Sequence, residues 1–292
     1  MDSFFYEICF PFLQLFCGDH AFFSGISEYS LNVFAYIALL TACFMLKKER
    51  QSFILRQVNL HNKVLSTDLS QEMNVSEDTI RRDLNELSEE RKIIKVHGGA
   101  LSKSFHLSLK STHIYSLDEK KTIAHKASQL IKDGMFVLTT GGTTIIELAK
   151  ALPPELSATF FTGSLPAAYE YIHHPNIEVI FIGDKISKSA QLSVGGEAIS
   201  KIRHIKADLC FLGTNAIDIT HGLTDSDWEV VQIKKAMIES AEKVISLAIS
   251  EKLNTSQRIK ICGLDEIDML ITELPQDDSL LNPYHEAGLE IL

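Results

Sequence analysis

The chain has 292 residues, 45% of them apolar and 23% charged, with a formal net charge of −10. That length and balance exclude a single small module and wholesale disorder, and suit a globular chain of two domains. The five cysteines, at 9, 17, 43, 210 and 262, are too scattered for a zinc pair or a dense disulfide framework, so a reducing, cytoplasmic compartment is expected.

The acidity is uneven along the chain. Residues 1–44 carry four acids and no Lys or Arg; residues 104–292 carry seventeen Lys/Arg against twenty-five Asp/Glu. Residues 45–103, with eleven against nine, are the one segment whose balance is compatible with nucleic acid.

Residues 1–44 hold nine of the sixteen phenylalanines and three of the five cysteines. They lead into a nearly uncharged run from Tyr29 to Leu46, followed by Lys47, Lys48 and Arg50. That run just reaches membrane-spanning length, and its basic flank would place the following chain in the cytoplasm. Three readings compete: upstream sequence read from a misplaced start with Met45 the true one, a single-pass anchor, and an unusual amphipathic extension packed on the body. The composition break at Met45 favours the first. A membrane is a partner only if residues 1–44 are real and inserted.

From Leu46 a first helix is expected, with Phe53, Ile54 and Val58 on its apolar side and His61-Asn62 as its stop. Val64 and Leu65 suit a short strand. Ser66 or Thr67 would cap a second helix bearing Leu69 and Met73, and Asn74-Val75 a tight turn. Ser76 then caps a third helix, with Glu77 and Asp78 at its positive end. Ile80, Leu84 and Leu87 recur at helical spacing as the buried stripe. Arg82 and Asn85 point away from that stripe, flanked by Arg81 and Thr79. A guanidinium fork, an amide and a hydroxyl on one outward face suit a major groove. Next, "EERKIIKVHGGA" reads as a strand, Ile93, Lys95 and His97 alternating with Ile94 and Val96, that ends in a Gly98-Gly99 turn: a wing whose Arg91, Lys92 and Lys95 lie near backbone phosphates.

"VSEDTIRRDLNEL" followed by "IIKVHGGA" resembles the N-terminal signature of DeoR-type transcriptional regulators. The resemblance is close over residues 46–103 and looser beyond. It implies a winged helix-turn-helix whose third helix enters double-stranded operator DNA. The family's helix residues fall on Ser76, Thr79, Ile80, Arg81, Arg82, Asp83 and Leu84.

Residues 104–117 are Ser-rich and read as a linker. From Asp118 a helix is expected, with Ile123, Ala127 and Leu130 or Ile131 on one side and Gly134 as its stop. Buried strands then alternate with helices: "MFVLTT", "ATFFTG", "IEVIFIG", "ADLCFLG", "KVISLAI" and "IDMLIT" are the strands. That alternation predicts a mostly parallel, doubly wound sheet, with ligands at the strands' carboxyl ends. Gly141-Gly142-Thr143-Thr144 joins the first of these strands to a helix. Its glycines permit close backbone approach and its free amides suit a phosphate. Capping alone would explain the same residues. No Walker lysine spacing and no G-x-G-x-x-G occur, which disfavours ATP and dinucleotides.

The family resemblance implies more for this segment: a sugar-phosphate isomerase-like fold that senses phosphorylated sugars. Its Gly-Thr-Thr motif falls on Gly142, Thr143 and Thr144, its Thr-Asn-Ser motif on Thr162, Gly163 and Ser164, its late lysine on Lys252 and a frequent acid on Glu229. Thr140, Gly163, Asp184 and Ile249 depart from the family pattern, removing two carboxylates and an amide that would orient sugar hydroxyls. The phosphate end of the pocket is therefore better kept than the sugar end.

The histidines at 173, 174, 204 and 221 have no metal-ligand spacing. Asp225, Asp227 and Glu229 offer a carboxylate base for an isomerase, but helix capping is the simpler reading. No catalytic residue, metal or cofactor is expected.

The resulting expectation is an α/β chain. An N-terminal winged helix-turn-helix domain (45–103) is followed by a linker (104–117) and a doubly wound, mostly parallel α/β sensor and oligomerisation domain (118–292). Ser76, Thr79, Arg81, Arg82, Asn85, Lys92, Lys95 and His97 would meet DNA. Gly141, Gly142, Thr143, Thr144, Ser164, Glu229 and Lys252 would meet a phosphorylated sugar or similar small anionic effector. A homo-oligomer, dimer or tetramer, is expected because one short helix reads few base pairs. The alternatives are an isomerase-like enzyme and a ligand-independent DNA-binding oligomer with a decayed pocket.

Overall fold

The first helix, α1, runs from Lys47 to His61 and buries Ile54, Val58, Leu60 and His61. The computed structural model describes residues 46–103 and 114–292. The apolar extension 1–44 lies outside the described residues, as does most of the expected linker. The chain divides into two units, 1–52 and 53–292; of the first, only 46–52, at the start of α1, are described. Among the described residues no helix is long and apolar enough to cross a membrane.

After α1 come β1 (Lys63–Leu65), α2 (Ser66–Glu72), α3 (Glu77–Glu89), β2 (Ile93–Val96) and β3 (Gly99–Ser102). The three strands form an antiparallel sheet in the order β1-β3-β2. Ile54, Val58 and Leu69 meet the α3 stripe of Ile80, Leu84 and Leu87, closed by Ile93 and Ala100. This is the winged helix-turn-helix that the sequence predicted, with two local corrections. Neither Ser66 nor Thr67 caps α2: Ser66 is already helical and Leu65 occupies the cap position. The Gly98 carbonyl instead accepts the Ser66 N–H at 2.8 Å, so the wing turn helps to close the helix end. The tight turn is His97-Gly98 rather than Gly98-Gly99, since Gly99 already pairs with Val96. Each glycine has its own reason. Gly98 sits at φ +76°, and a Cβ on Gly99 would lie 2.0 Å from the Val64 carbonyl oxygen.

The sensor segment opens with α4 (Leu117–Ser128), β4 (Phe136–Thr139), α5 (Thr143–Lys150), β5 (Thr159–Thr162), α6 (Leu165–Tyr171) and β6 (Glu178–Phe181). A hairpin of β7 (Lys185–Ser187) and β8 (Leu192–Val194) follows, then α7 (Gly196–Ile202) and β9 (Ala207–Gly213). β10 (Ala216–Asp218), β11 (Gly222–Asp225), α8 (Trp228–Glu239), β12 (Ala241–Leu247), β13 (Ile259–Cys262), β14 (Met269–Ile271), α9 (Asn282–Glu286) and β15 (Glu290–Ile291) complete it.

Seven strands form one sheet in the order β15-β14-β12-β9-β4-β5-β6, every neighbouring pair parallel. Alternate residues feed two cores. Leu138, Cys210 and Leu212 face one, while Val137, Leu209 and Phe211 face the other. Apolar packing on both faces is why these strands read as continuous apolar runs. The chain starts in the middle at β4, winds outward to β6, then reverses through β9 to the other side. The switch point therefore lies between β4 and β9.

Two expectations shift. The helix expected to run to Gly134 ends at Ser128; backbone bonds that span three residues instead of four, from Leu130 to Ala127 and from Ile131 to Ser128, tighten its end, and Ile131 is buried in the core. β6, read as a buried strand, is the sheet edge, with Ile180 and Phe181 each 40% exposed. The β7–β8 hairpin and the small antiparallel sheet β10-β11-β13 went unread, being short and without a long apolar run.

Candidate functional site: a nucleic-acid face and an anion pocket

On α3 the Ser76 hydroxyl accepts the Thr79 N–H at 3.2 Å and lies 2.9 Å from the Thr79 hydroxyl. Both hydroxyls of the predicted DNA face thus take part in the cap. Arg81 and Arg82 are exposed beyond the first turn, and Arg82 reaches back to Asp78 at 2.8 Å. Lys95 on the wing donates to the side-chain Oδ1 of Asn85, tying β2 to the outward side of α3. Lys92 pairs with Glu90 at 2.7 Å, and His97 is exposed at the wing tip. Exposed pairs of this kind are worth at most about 1 kcal/mol, so phosphates can exchange for the carboxylates. Asp83 is buried with the stripe, away from this face.

The second site is a cavity of about 100 Å³ at the switch point. Gly141 to Thr144, after β4, and Gly213 to Asn215, at the end of the neighbouring strand β9, line it side by side. Gly142 stands at the N-cap of α5 with φ +117° and no side-chain cap. The first-turn amides are thus left for a ligand. Thr143 and Thr144 are the first helical residues rather than part of the turn. The Thr140 hydroxyl, where the family pattern has a carboxylate, accepts the Gly213 N–H at 2.7 Å and ties the two stretches together.

Three lysines converge at this end of the sheet. Lys252 donates to the Thr214 carbonyl at 2.6 Å, and Lys120 donates to the Tyr115 carbonyl. Among the described residues no carboxylate pairs with either. Burial pushes the Lys252 ammonium down to about 7, with repulsion from Lys120 and Lys234 adding to it. Burial pushes Lys120 down to about 8. The third, Lys234, is buried, and it pairs with Asp225 at 2.8 Å and donates to the Gly213 carbonyl at 2.9 Å. Burial alone would raise the Asp225 carboxyl. Attraction to Lys234 and hydrogen bonds from it, Ser226 and Asn215 bring it below the ordinary value.

The predicted residues divide. Gly141, Gly142, Thr143, Thr144 and Lys252 line the cavity; Ser164 and Glu229 do not. Ser164 caps α6, accepting the Ala167 N–H at 3.4 Å, and stands behind Gly141. Glu229 turns outward to Lys185 at 2.7 Å. The α8 cap is Asp227, which accepts from Glu229 and Val230, so Asp225 has no capping role.

Comparisons with known proteins give the family. Residues 50–105 match the DeoR-like helix-turn-helix domain and residues 116–274 match the DeoR C-terminal sensor domain. The chain belongs to the DeoR family. It is a DNA-binding transcriptional regulator with a sensor domain. Similar DeoR-family relatives include the HTH-type regulator YulB of Bacillus subtilis, 33% identical over 84% of this chain and 94% of that protein. The HTH-type transcriptional repressor GlcR of the same organism is 31% identical over 85% and 96%. A ribose 5-phosphate isomerase structure from Methanocaldococcus jannaschii is similar at 20% identity and a TM-score of 0.35, covering 48% of this chain and 55% of that one.

Several residues at this DeoR-family pocket escaped the sequence reading: Lys120 and Asn215 in its lining, Lys234, which reaches Asp225 and Gly213 of that lining, and, from the DNA-binding module, His61 and Lys63; Asp225 is singled out there only as an isomerase base or a cap. A signal existed for three of them. Lys120 lies on the same helical stripe as Ile123 and Ala127, Lys234 on that of Val230, Val231 and Met237, and His61 on that of Ile54 and Val58. A charged or polar residue on an apolar stripe marks a paired or functional group. Among the described residues no group of three or more His, Cys, Asp or Glu is arranged to hold a metal.

Proposed function

We propose that this chain is a cytoplasmic repressor of carbohydrate-metabolism genes, binding its operator as a homo-oligomer and released by a phosphorylated sugar or similar anionic metabolite. One observation carries the effector half. Lys120 and Lys252 bring their ammonium groups to a cavity at the switch point, held by backbone carbonyls and, for Lys120, the Tyr115 ring, with no carboxylate paired to either among the described residues. Cations taken out of water without carboxylates are costly, and an anion in the cavity compensates them. The uncapped α5 N-terminus adds donors of the right polarity. Gly142, Thr143, Thr144, Lys120 and Lys252 would hold the phosphate. Arg81, Arg82, Asn85, Lys92, Lys95 and His97 would meet the operator. The chain's role is regulation rather than turnover, in keeping with relatives named as regulators.

Thermal unfolding of the full chain against a panel of sugar phosphates and the matching free sugars tests the reading. A selective rise in midpoint with phosphorylated members is expected, since a ligand of the native state stabilises it by mass action. The same members should release the protein from DNA selected by it out of a random pool. Equal response to free and phosphorylated sugars would refute the anion site.

A further inference from the structure

The switch-point cavity is not closed by the sensor segment alone. One of its walls is the corner where α1 ends and β1 begins, including Asn59, His61, Asn62 and Lys63 of the DNA-binding module. His61 is 8% exposed, and its Nδ1 lies 3.2 Å from Oδ1 of Asn215 in the opposite wall. Asn215 in turn donates to Asp225 at 3.2 Å, the carboxylate that holds Lys234. Lys63 is half-buried, and among the described residues it pairs with no carboxylate. The corner is firmly joined to the wing. Lys63 pairs with Leu101, the Asn62 carbonyl accepts the Ser102 N–H at 2.8 Å, and the Asn59 side chain accepts the Ser102 hydroxyl at 3.0 Å.

We propose that the DNA-binding module itself supplies part of the effector site, with Lys63 and His61 binding the ligand's anionic group opposite Lys252. The inference rests on the anion reading of the cavity and adds to it the source of the regulation. A ligand shifts an equilibrium between two states only by contacting them differently. A ligand held by both walls makes contacts that depend on where the α1–β1 corner stands. Since β1 is hydrogen-bonded to β3, displacement of the corner displaces the wing. The effector then acts on the DNA-binding module by touching it, and no relay through the sheet is needed. With Nδ1–H given to Asn215, the His61 ring holds an anion only by taking up a second proton on Nε2; its proton affinity is pushed down to about 4 by burial and by Lys252, and an anion beside it would raise that affinity.

The test uses the full chain with inorganic phosphate and glucose 6-phosphate as probes, titrated calorimetrically at low salt. Four variants are compared: Lys63→Gln, His61→Gln, Lys252→Gln and Lys121→Gln. Lys121 is exposed on α4, does not line the cavity and serves as the control. Lys63→Gln should weaken binding by about tenfold, the scale of one charge-assisted contact, and flatten its salt dependence. Its unliganded unfolding midpoint should stay at the wild-type value, which separates ligand contact from a structural role. His61→Gln keeps a donor for Asn215 and should weaken binding by a smaller factor. Phosphate should also slow hydrogen exchange in residues 61–65 of the wild type. If Lys63→Gln and His61→Gln both bind like wild type while Lys252→Gln loses affinity, the anion site stands and the contribution of the DNA-binding module is overturned. If neither probe binds the wild type, or Lys252→Gln is silent as well, the anion reading falls and this inference falls with it.

Discussion

The molecule carries two sets of cations, and they differ in everything except sign. Arg81, Arg82, Lys92 and Lys95 stand in water on α3 and the wing, where Arg82 and Lys92 pair with Asp78 and Glu90 and Lys95 with the amide of Asn85. Lys120, Lys234 and Lys252 converge on the switch point, two of them on helical stripes otherwise apolar. Water solvates the first set cheaply, so it is free to exchange partners with a polyanion and to do so reversibly. The second set has lost most of its water. Its charge must be neutralised by a fixed carboxylate, as Asp225 does for Lys234, or by deprotonation, or by an incoming anion. Exposure thus suits a surface that finds DNA, and burial suits a pocket that discriminates a small ligand.

The sharpest way to break this contrast is Asp225→Ala. It leaves Lys234 buried without its carboxylate, and removal of one partner from a buried pair costs about 3–5 kcal/mol. Urea unfolding of the variant measures the loss; a change below about 1 kcal/mol would place the pair in effectively solvated surroundings. Next in size is Arg82→Ala, expected to cost about 1–3 kcal/mol in binding to selected DNA and to relax sequence preference at one position. Filter binding at two salt concentrations reads both effects, and unchanged binding would remove Arg82 from the groove.

The pH dependence of ligand binding sharpens the buried half. Lys252 and Lys120 have proton affinities lowered to about 7 and about 8 in the empty pocket. An anion favours their charged forms, so binding takes up protons as pH rises through that range. Affinity for glucose 6-phosphate, dianionic above about pH 7, should fall from pH 7 to 9, by up to about tenfold per unit for each proton taken up. The empty protein shows the opposite trend. A lysine whose folded value lies below its unfolded one binds fewer protons when folded, so stability rises with pH above about 7. Calorimetry and urea titration at matched pH values test both signs. Smallest is Ser76→Ala, which removes the α3 cap and should cost about 1 kcal/mol of stability. An effect on DNA binding far beyond that loss would give Ser76 a direct DNA contact as well.

Legibility in the sequence followed the range of the forces at work. The third helix was readable because its cap, its stripe and its outward face lie within thirteen residues. A turn at Gly98 was readable, but its place one residue earlier, at His97-Gly98, and the separate reasons for the two glycines were not. One needs a left-handed backbone and the other a gap for Val64, a residue outside the hairpin itself. In the sensor segment the strands announced themselves because both faces of the sheet are covered. The edge strand β6 was misread as buried, since an apolar run does not reveal whether a neighbour covers it. Among the site residues, the Gly-Thr-Thr loop and Lys252 could be placed in advance. Ser164 and Glu229 were placed by analogy of position, and the packing of α6 and the reach of Lys185 turned them elsewhere.

The sequence by itself determined a winged helix followed by a doubly wound parallel sheet, because caps, stripes and alternating apolar runs are written within single elements. Only the tertiary structure decided what the switch point contains. Its cations arrive from α4, α8 and the loop after β12, and His61 meets Asn215 across 154 residues of chain. No local pattern encodes such a meeting, because it depends on where two separately folded surfaces are brought together.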